Sequence, residues 1–235
     1  MTARPVRASV RLMRSGDRVF ADRATAGVAL AAKLAHHGRA SGLLVLALPR
    51  GGVPVASPIA EALGAPLDVM VVRKVGSPRQ PELAIGAVAS GGITVREGRA
   101  PVLCADGERE FERLAAGERI ELERRERAYR PGLPALVLEG RHVLLVDDGL
   151  ATGSTMLAAV RAARQGGAAS VTVATPVASR EAAALVGAEA DELVVLETPP
   201  QLCSIGEWYV EFEQLRDEEV CRLLGESRER RTRGS

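Results

Sequence analysis

Aromatic side chains are scarce in this chain of 235 residues: one tryptophan, two tyrosines and three phenylalanines, 3% of the whole. A core must therefore be packed from Ala, Val and Leu, and apolar residues at 46% are ample for that. Cysteine is equally sparse. Cys104, Cys203 and Cys221 are odd in number, scattered and without a Cys-x-x-Cys pair, so they indicate neither a disulfide framework nor a zinc site, and a reducing cytoplasm is the default expectation. No apolar run approaches the ~18 residues that a membrane span needs. Arg4, Arg7, Arg11 and Arg14 precede no apolar stretch, so neither a signal peptide nor a transmembrane helix is expected. Excess charge of one sign is also missing. The 31 basic and 30 acidic side chains leave a net +1, so no global field recruits nucleic acid or a membrane. The length suits one α/β domain with embellishments, or at most two small domains.

What is present is organised around Val143 to Thr155, reading Val-Leu-Leu-Val-Asp-Asp-Gly-Leu-Ala-Thr-Gly-Ser-Thr. Four apolar residues ending in an acidic pair predict a buried strand that stops at solvent. Gly149 and Gly153 allow a tight turn, and Met156, Leu157, Val160 and Ala163 recur at helical spacing. A helix start presents unpaired N–H groups and the positive end of its dipole, and Thr152, Ser154 and Thr155 add hydroxyls beside them. That combination suits a phosphate. The carboxylates of Asp147 and Asp148 instead suit sugar hydroxyls or Mg²⁺. Together they describe a ribose 5-phosphate, and no Gly-Lys-Ser/Thr closes the loop as a Walker-type site requires.

This stretch resembles the motif that binds phosphoribosyl pyrophosphate (PRPP) in type I phosphoribosyltransferases: apolar strand, two acids, then a Thr-Gly-x-Thr loop. The Asp-Asp-x-Leu-Ala-Thr-Gly form is locally similar to the adenine enzymes. Nearly the whole chain from Phe20 to Leu224 resembles bacterial phosphoribosyltransferases of unassigned acceptor, through Phe-x-Asp-Arg-x-x-Ala-Gly, Pro-Arg-Gly-Gly and Gly-x-Trp-Tyr. Those relatives usually carry an aromatic near Leu202 or Cys203, which is lacking here. The resemblance implies an α/β fold with a doubly wound, mainly parallel sheet and a small C-terminal hood. It further implies a cytoplasmic, Mg²⁺-dependent enzyme of nucleotide metabolism that moves the phosphoribosyl group to a nitrogen heterocycle and releases pyrophosphate. The rival is a PRPP-binding regulator without turnover.

Taken in order, residues 1–18 read as a loose arm and 19–198 as the core. Asp22 is an N-cap candidate before a helix with Val28, Ala31, Leu34 and Ala35 as an apolar stripe. His36 and His37 close that helix, where dipole partnership is the simpler reading, and no chemistry is assigned to them. Leu43 to Leu48 predicts a strand buried on both faces. The following Arg50, Gly51 and Gly52 make a second anion cradle, which the resemblance assigns to pyrophosphate. Leu67 to Val72 predicts one strand ending at Arg73 and Lys74, both candidates for PRPP phosphate, before a breaker-rich loop. The family's mobile loop falls there, with Glu82 as its acid near the base. Ala84 to Val95 suggests a hairpin. Residues 107–130 form a charged helical insertion, inner face Phe111, Leu114, Ala115, Leu122 and Tyr129, with Glu121–Arg125, Glu123–Arg127 and Glu126–Arg130 spaced as ion pairs. Its outer face reads as solvated, a subunit interface and hence a homodimer being the main rival. Further strands and helices alternate to Leu196. Residues 199–225 are hood and final helix, and 226–235 a disordered tail.

The resemblance thus gives Asp147, Asp148, Arg50, Lys74 and Glu82 as catalytic candidates, the two acids also holding metal. Ala151, Thr152, Gly153, Ser154, Thr155, Gly51, Gly52 and Arg73 would bind PRPP, and Trp208 and Tyr209 would face the acceptor.

Overall fold

Asp22 caps the first helix as its position predicts: its carboxylate accepts from the N–H of Thr25 at 2.7 Å and opens α1 (Arg23–Lys33). The structure, a computed structural model, describes residues 20–38, 40–77, 84–96 and 107–233. The expected N-terminal arm and Glu82 lie outside these residues.

Leu43–Leu48 becomes β1 (Leu43–Ala47), followed by α2 (Gly52–Leu63) and β2 (Leu67–Val69). Next come β3 (Val72–Gly76), β4 (Ala84–Ala89), β5 (Ile93–Arg96) and the charged helix α3 (Gly107–Tyr129). The central motif supplies β6 (His142–Val146) and α4 (Ser154–Gln165), and β7 (Ser170–Val177), α5 (Arg180–Gly187), β8 (Glu192–Glu197) and α6 (Asp217–Arg233) complete the order.

Five parallel strands form the main sheet in the order β2-β1-β6-β7-β8. Side chains alternate between its faces, which is why the strands read as continuous apolar runs. Val45, Ala47, Leu144 and Val146 join Leu30, Ile59 and Leu224 on one face, while Leu44, Leu46, Val143 and Leu145 join Met156, Val160 and Val186 on the other. From β1 the chain steps one way to β2, and from β6 it steps the other way to β7 and β8. The strand order therefore reverses between β1 and β6, and in open parallel sheets a ligand crevice forms beyond the carboxyl ends at such a point.

Three corrections follow. The expected strand Leu67–Val72 is split, because Val71 leaves the parallel sheet: its N–H donates to Ser90 Oγ and its C=O accepts from Ser90 N, both at 2.9 Å. β3 then pairs antiparallel with β4, and β4 with β5, in a separate sheet that includes the expected hairpin. The disordered tail is instead helical as far as Arg233. Arg222 pairs with Glu226 at 2.6 Å and Arg230 reaches Ser57 Oγ at 3.2 Å, while acids in the first turn and arginines in the last suit the helix dipole. His36 and His37, finally, form a separate 3₁₀ turn and both face Glu192.

On α3 the inner face is as expected, with Phe111, Ala115, Leu122 and Tyr129 buried, and Glu121–Arg125 pairs at 2.7 Å. Arg130 donates to Asp68 on β2 at 3.0 Å, tying the end of this helix to the edge of the sheet.

Candidate active site

The loops after β1 and β6 meet at the reversal point. Leu48 still belongs to the ladder, its N–H bonded to Val146 O at 2.8 Å, and the cis peptide Pro49–Arg50 then leads into Gly51 and Gly52. A Cβ on Gly51 would lie 2.1 Å from Asp148 Oδ2, and one on Gly52 would lie 2.4 Å from Val146 O. The two loops are thus in contact, at a separation that any side chain would destroy.

Asp147 and Asp148 sit side by side as β6 ends, with Asp148 N–H donating to Asp147 Oδ1 at 2.9 Å. Burial raises the Asp147 carboxyl well above its ordinary 3.8, and the neighbouring Asp148 charge adds to this. Burial raises Asp148 as well, and the bond from Arg23 draws it part of the way back.

Arg23 was not singled out from the sequence, although it stands in the Phe-x-Asp-Arg run. Its Nε donates to Asp148 Oδ2 at 2.8 Å, one terminal nitrogen donates to Glu213 O at 3.0 Å, and the guanidinium lies 3.7 Å from the Phe212 ring centroid. The pair is largely shielded from water, with side chains 11% and 16% exposed. Tyr209 supports the same turn: its hydroxyl donates to Asp148 O at 2.6 Å.

That bond corrects an expectation. Tyr209 is fully buried, stacked on Phe212 at 5.0 Å and packed on Phe20 at 5.5 Å, so its ring offers no face to an acceptor. Trp208 is half-buried in a 3₁₀ turn (Gly206–Trp208), and its C=O accepts from Phe20 N at 3.0 Å.

Ala151 to Thr155 form the hydroxyl-lined loop. Leu150 bridges to Ala178, and Ser179 Oγ donates to Ala151 O at 2.8 Å, fixing the loop against the end of β7. Gly153 takes the left-handed conformation, φ 73°, that lets the chain turn directly into α4. Thr152 Oγ1 and Ser154 Oγ are 3.0 Å apart, and Lys74 Nζ donates to Ser154 Oγ at 3.2 Å. Arg50 stays at the α2 side, 37% exposed and 3.9 Å from Asp217, which also accepts from the Tyr129 hydroxyl at 2.6 Å. Arg73 is not brought to this loop: its Nε donates to Glu118 on α3 at 2.8 Å. Neighbouring strand residues point to opposite faces, so Lys74 and Arg73 part company.

An Arg23→Gln variant tests the electrostatics before any chemistry. A raised carboxyl favours folding below its ordinary 3.8 and loses that contribution as pH rises through the raised value. Removing the guanidinium raises Asp148 further, so the charge penalty grows at pH 8 and vanishes where Asp148 is protonated. Breaking one side of a buried pair costs about 3–5 kcal/mol. Thermal melts are therefore expected to show a larger loss at pH 8 than at a pH low enough to protonate Asp148. An equal loss at both would mean that Arg23 acts through its packing on Phe212.

Comparison with known proteins identifies the family. The phosphoribosyl transferase domain model matches residues 21–198. Two Mycobacterium tuberculosis relatives, each described as "putative phosphoribosyl transferase", are 44% identical over 211 residues, covering 88% of this chain and 46% of their own. The chain spans about half the length of these curated relatives. A Thermus thermophilus protein of known crystal structure is 43% identical, with a TM-score of 0.81 over 88% of this chain and 98% of its own. With a domain match that runs from the first helix through the last strand of the sheet, the chain belongs to the phosphoribosyl transferase domain family.

Proposed function

We propose that the chain moves the 5-phosphoribosyl group of PRPP to a nitrogen heterocycle, a purine-like base being one such acceptor, and releases pyrophosphate. The observation that carries this reading is the contact of the Arg50–Gly52 loop with Asp148, two loops meeting at one reversal of strand order. In the reaction the C1–O bond to pyrophosphate breaks, its electron pair leaves with the pyrophosphate, the C1–N bond forms and the acceptor gives up a proton.

The chain's own groups divide this work. Thr152, Ser154, Thr155 and the N–H groups at the start of α4 hold the 5-phosphate. Asp147 and Asp148 accept from the ribose hydroxyls, with Arg23 and Tyr209 fixing the position of Asp148. Arg50, with the backbone of Gly51 and Gly52, takes the pyrophosphate, and Lys74, bonded to Ser154 Oγ, lends its charge. Trp208 is the ring assigned to the acceptor, as a flat face for a flat heterocycle.

Asp147 and Asp148 also fit Mg²⁺. They are an all-oxygen donor set, and a cation beside them would favour the charged forms that burial, and for Asp147 the Asp148 charge, disfavour. Bound there, the ion would offset the charge of the leaving pyrophosphate.

Calorimetry with PRPP and Mg²⁺, followed by a pyrophosphate-release screen across nucleobases, tests the reading. Release with at least one base supports it. PRPP binding without release for any acceptor favours a non-catalytic PRPP-binding regulator. An Arg50→Ala variant is expected to lose about a hundredfold in turnover, since one preorganised donor is worth ~3 kcal/mol. Near-wild-type release would take Arg50 out of the site.

A further inference from the structure

His36 and His37 follow α1, while Glu192 opens β8, at the opposite end of the parallel sheet from the acid pair that follows β6. His36 Nε2 lies 3.1 Å from one carboxylate oxygen of Glu192 and 3.3 Å from the other, and His37 Nε2 lies 2.8 Å from the second. The two rings are tilted by 38° with centroids 4.2 Å apart, and both present Nε2 to the same carboxylate. One ligand atom from each residue falls within 4.8 Å of the others.

We propose that His36, His37 and Glu192 bind a divalent transition-metal ion, Zn²⁺ being the one that suits the ligands, and so join the turn after α1 to the edge strand of the sheet. Tetrahedral Zn²⁺ holds nitrogen and oxygen donors at ~2.0–2.2 Å, which sets neighbouring donors roughly 3.3 Å apart. The two imidazole nitrogens already stand at about that distance from the carboxylate. With the proton on Nδ1, each Nε2 turns a lone pair toward the ion. The site is open, His36 being 56% exposed and Glu192 37%, so an ion can enter from solvent and water can complete its shell. Two nitrogen donors also separate this site from the acid pair, because Mg²⁺ favours oxygen while imidazole favours zinc, nickel and copper. The proposed transfer chemistry uses none of these three residues.

The test uses the full chain without a histidine tag, stripped with a chelator, in a Cys203→Ser background that removes an exposed thiol. Titration with ZnCl₂ under excess MgCl₂ is expected to show one saturable site in the micromolar range and a rise in melting temperature. His37→Ala and Glu192→Gln are each expected to weaken binding about tenfold or more and to abolish that rise. His36→Ala, at the most exposed position, serves as the variant least able to disturb folding, checked by circular dichroism. CoCl₂ should give a visible absorption band that the same variants lose. Absence of a saturable site, equal binding by the three variants, or loss of zinc binding in Asp147→Asn/Asp148→Asn would each overturn the proposal. The first two outcomes would leave the histidines as hydrogen-bond partners of Glu192, and the third would place the ion at the acid pair.

Discussion

Turnover by an Asp148→Asn variant is expected to fall about a hundredfold, the ~3 kcal/mol associated with one preorganised group at a charged transition state. The substitution keeps the shape of the side chain and leaves an amide oxygen able to accept from Arg23. The backbone C=O that receives the Tyr209 hydroxyl is unchanged, so the turn keeps its support from Tyr209. What goes is one negative charge, in a place where burial already disfavours it. Pyrophosphate release at saturating PRPP measures the loss, and circular dichroism checks the fold. A variant that turns over like the wild type would show that Asp148 has no part in holding the sugar.

Gly52→Ala is expected to act through geometry. Its new methyl would lie 2.4 Å from Val146 O and 3.1 Å from the Asp147 Cα, both backbone atoms of the neighbouring strand and its end. Backbone cannot swing aside as the tip of a long side chain can, so the loop after β1 must move off β6. Forcing a methylene into packed surroundings costs typically about 1–3 kcal/mol, and here the strain falls on the two loops proposed to grip one ligand. A lower melting point together with at least about tenfold weaker PRPP binding is the expected result, read by thermal melts and calorimetry. Gly117→Ala is the control, because a Cβ there meets nothing within 4 Å. Alanine at that helical position should stabilise by roughly 0.8–1 kcal/mol and leave PRPP binding alone. If both variants bound PRPP equally well, the closeness of the two loops would have no bearing on the site.

Short-range signals made much of this architecture legible. The strand, acids, bend and helix of residues 143–165 announce themselves within a few positions of one another, and so do the cap at Asp22 and the inner face of α3. Distant partners did not show. Arg23 is an ordinary first-turn arginine until the chain brings Asp148, 125 positions away, to its Nε. The strand beginning at Leu67 looks continuous because nothing local reveals that Ser90 will capture both polar groups of Val71. Residues 226–233 are rich in arginine and read as unstructured, yet contacts such as Arg230 with Ser57 depend on α2 lying alongside. Tyr209 was drawn toward the acceptor by its place beside Trp208. Its burial comes from Phe20 and Phe212 closing on it, an arrangement no spacing rule encodes.

The hydroxyl of Tyr209 reaching the carbonyl of Asp148 has a consequence for how the molecule is assembled as it leaves the ribosome. By the time residue 148 has emerged, the acidic turn can form with its strand, but that carbonyl has no tyrosine to meet until sixty-one more residues have followed. The segment carrying Tyr209 must then find Phe20, one of the earliest residues of the structure, before the ring can settle. The finishing stitch of this turn therefore draws together pieces made early, midway and late, and a nascent chain stalled short of Tyr209 would hold its two acids in a turn still waiting to be fastened.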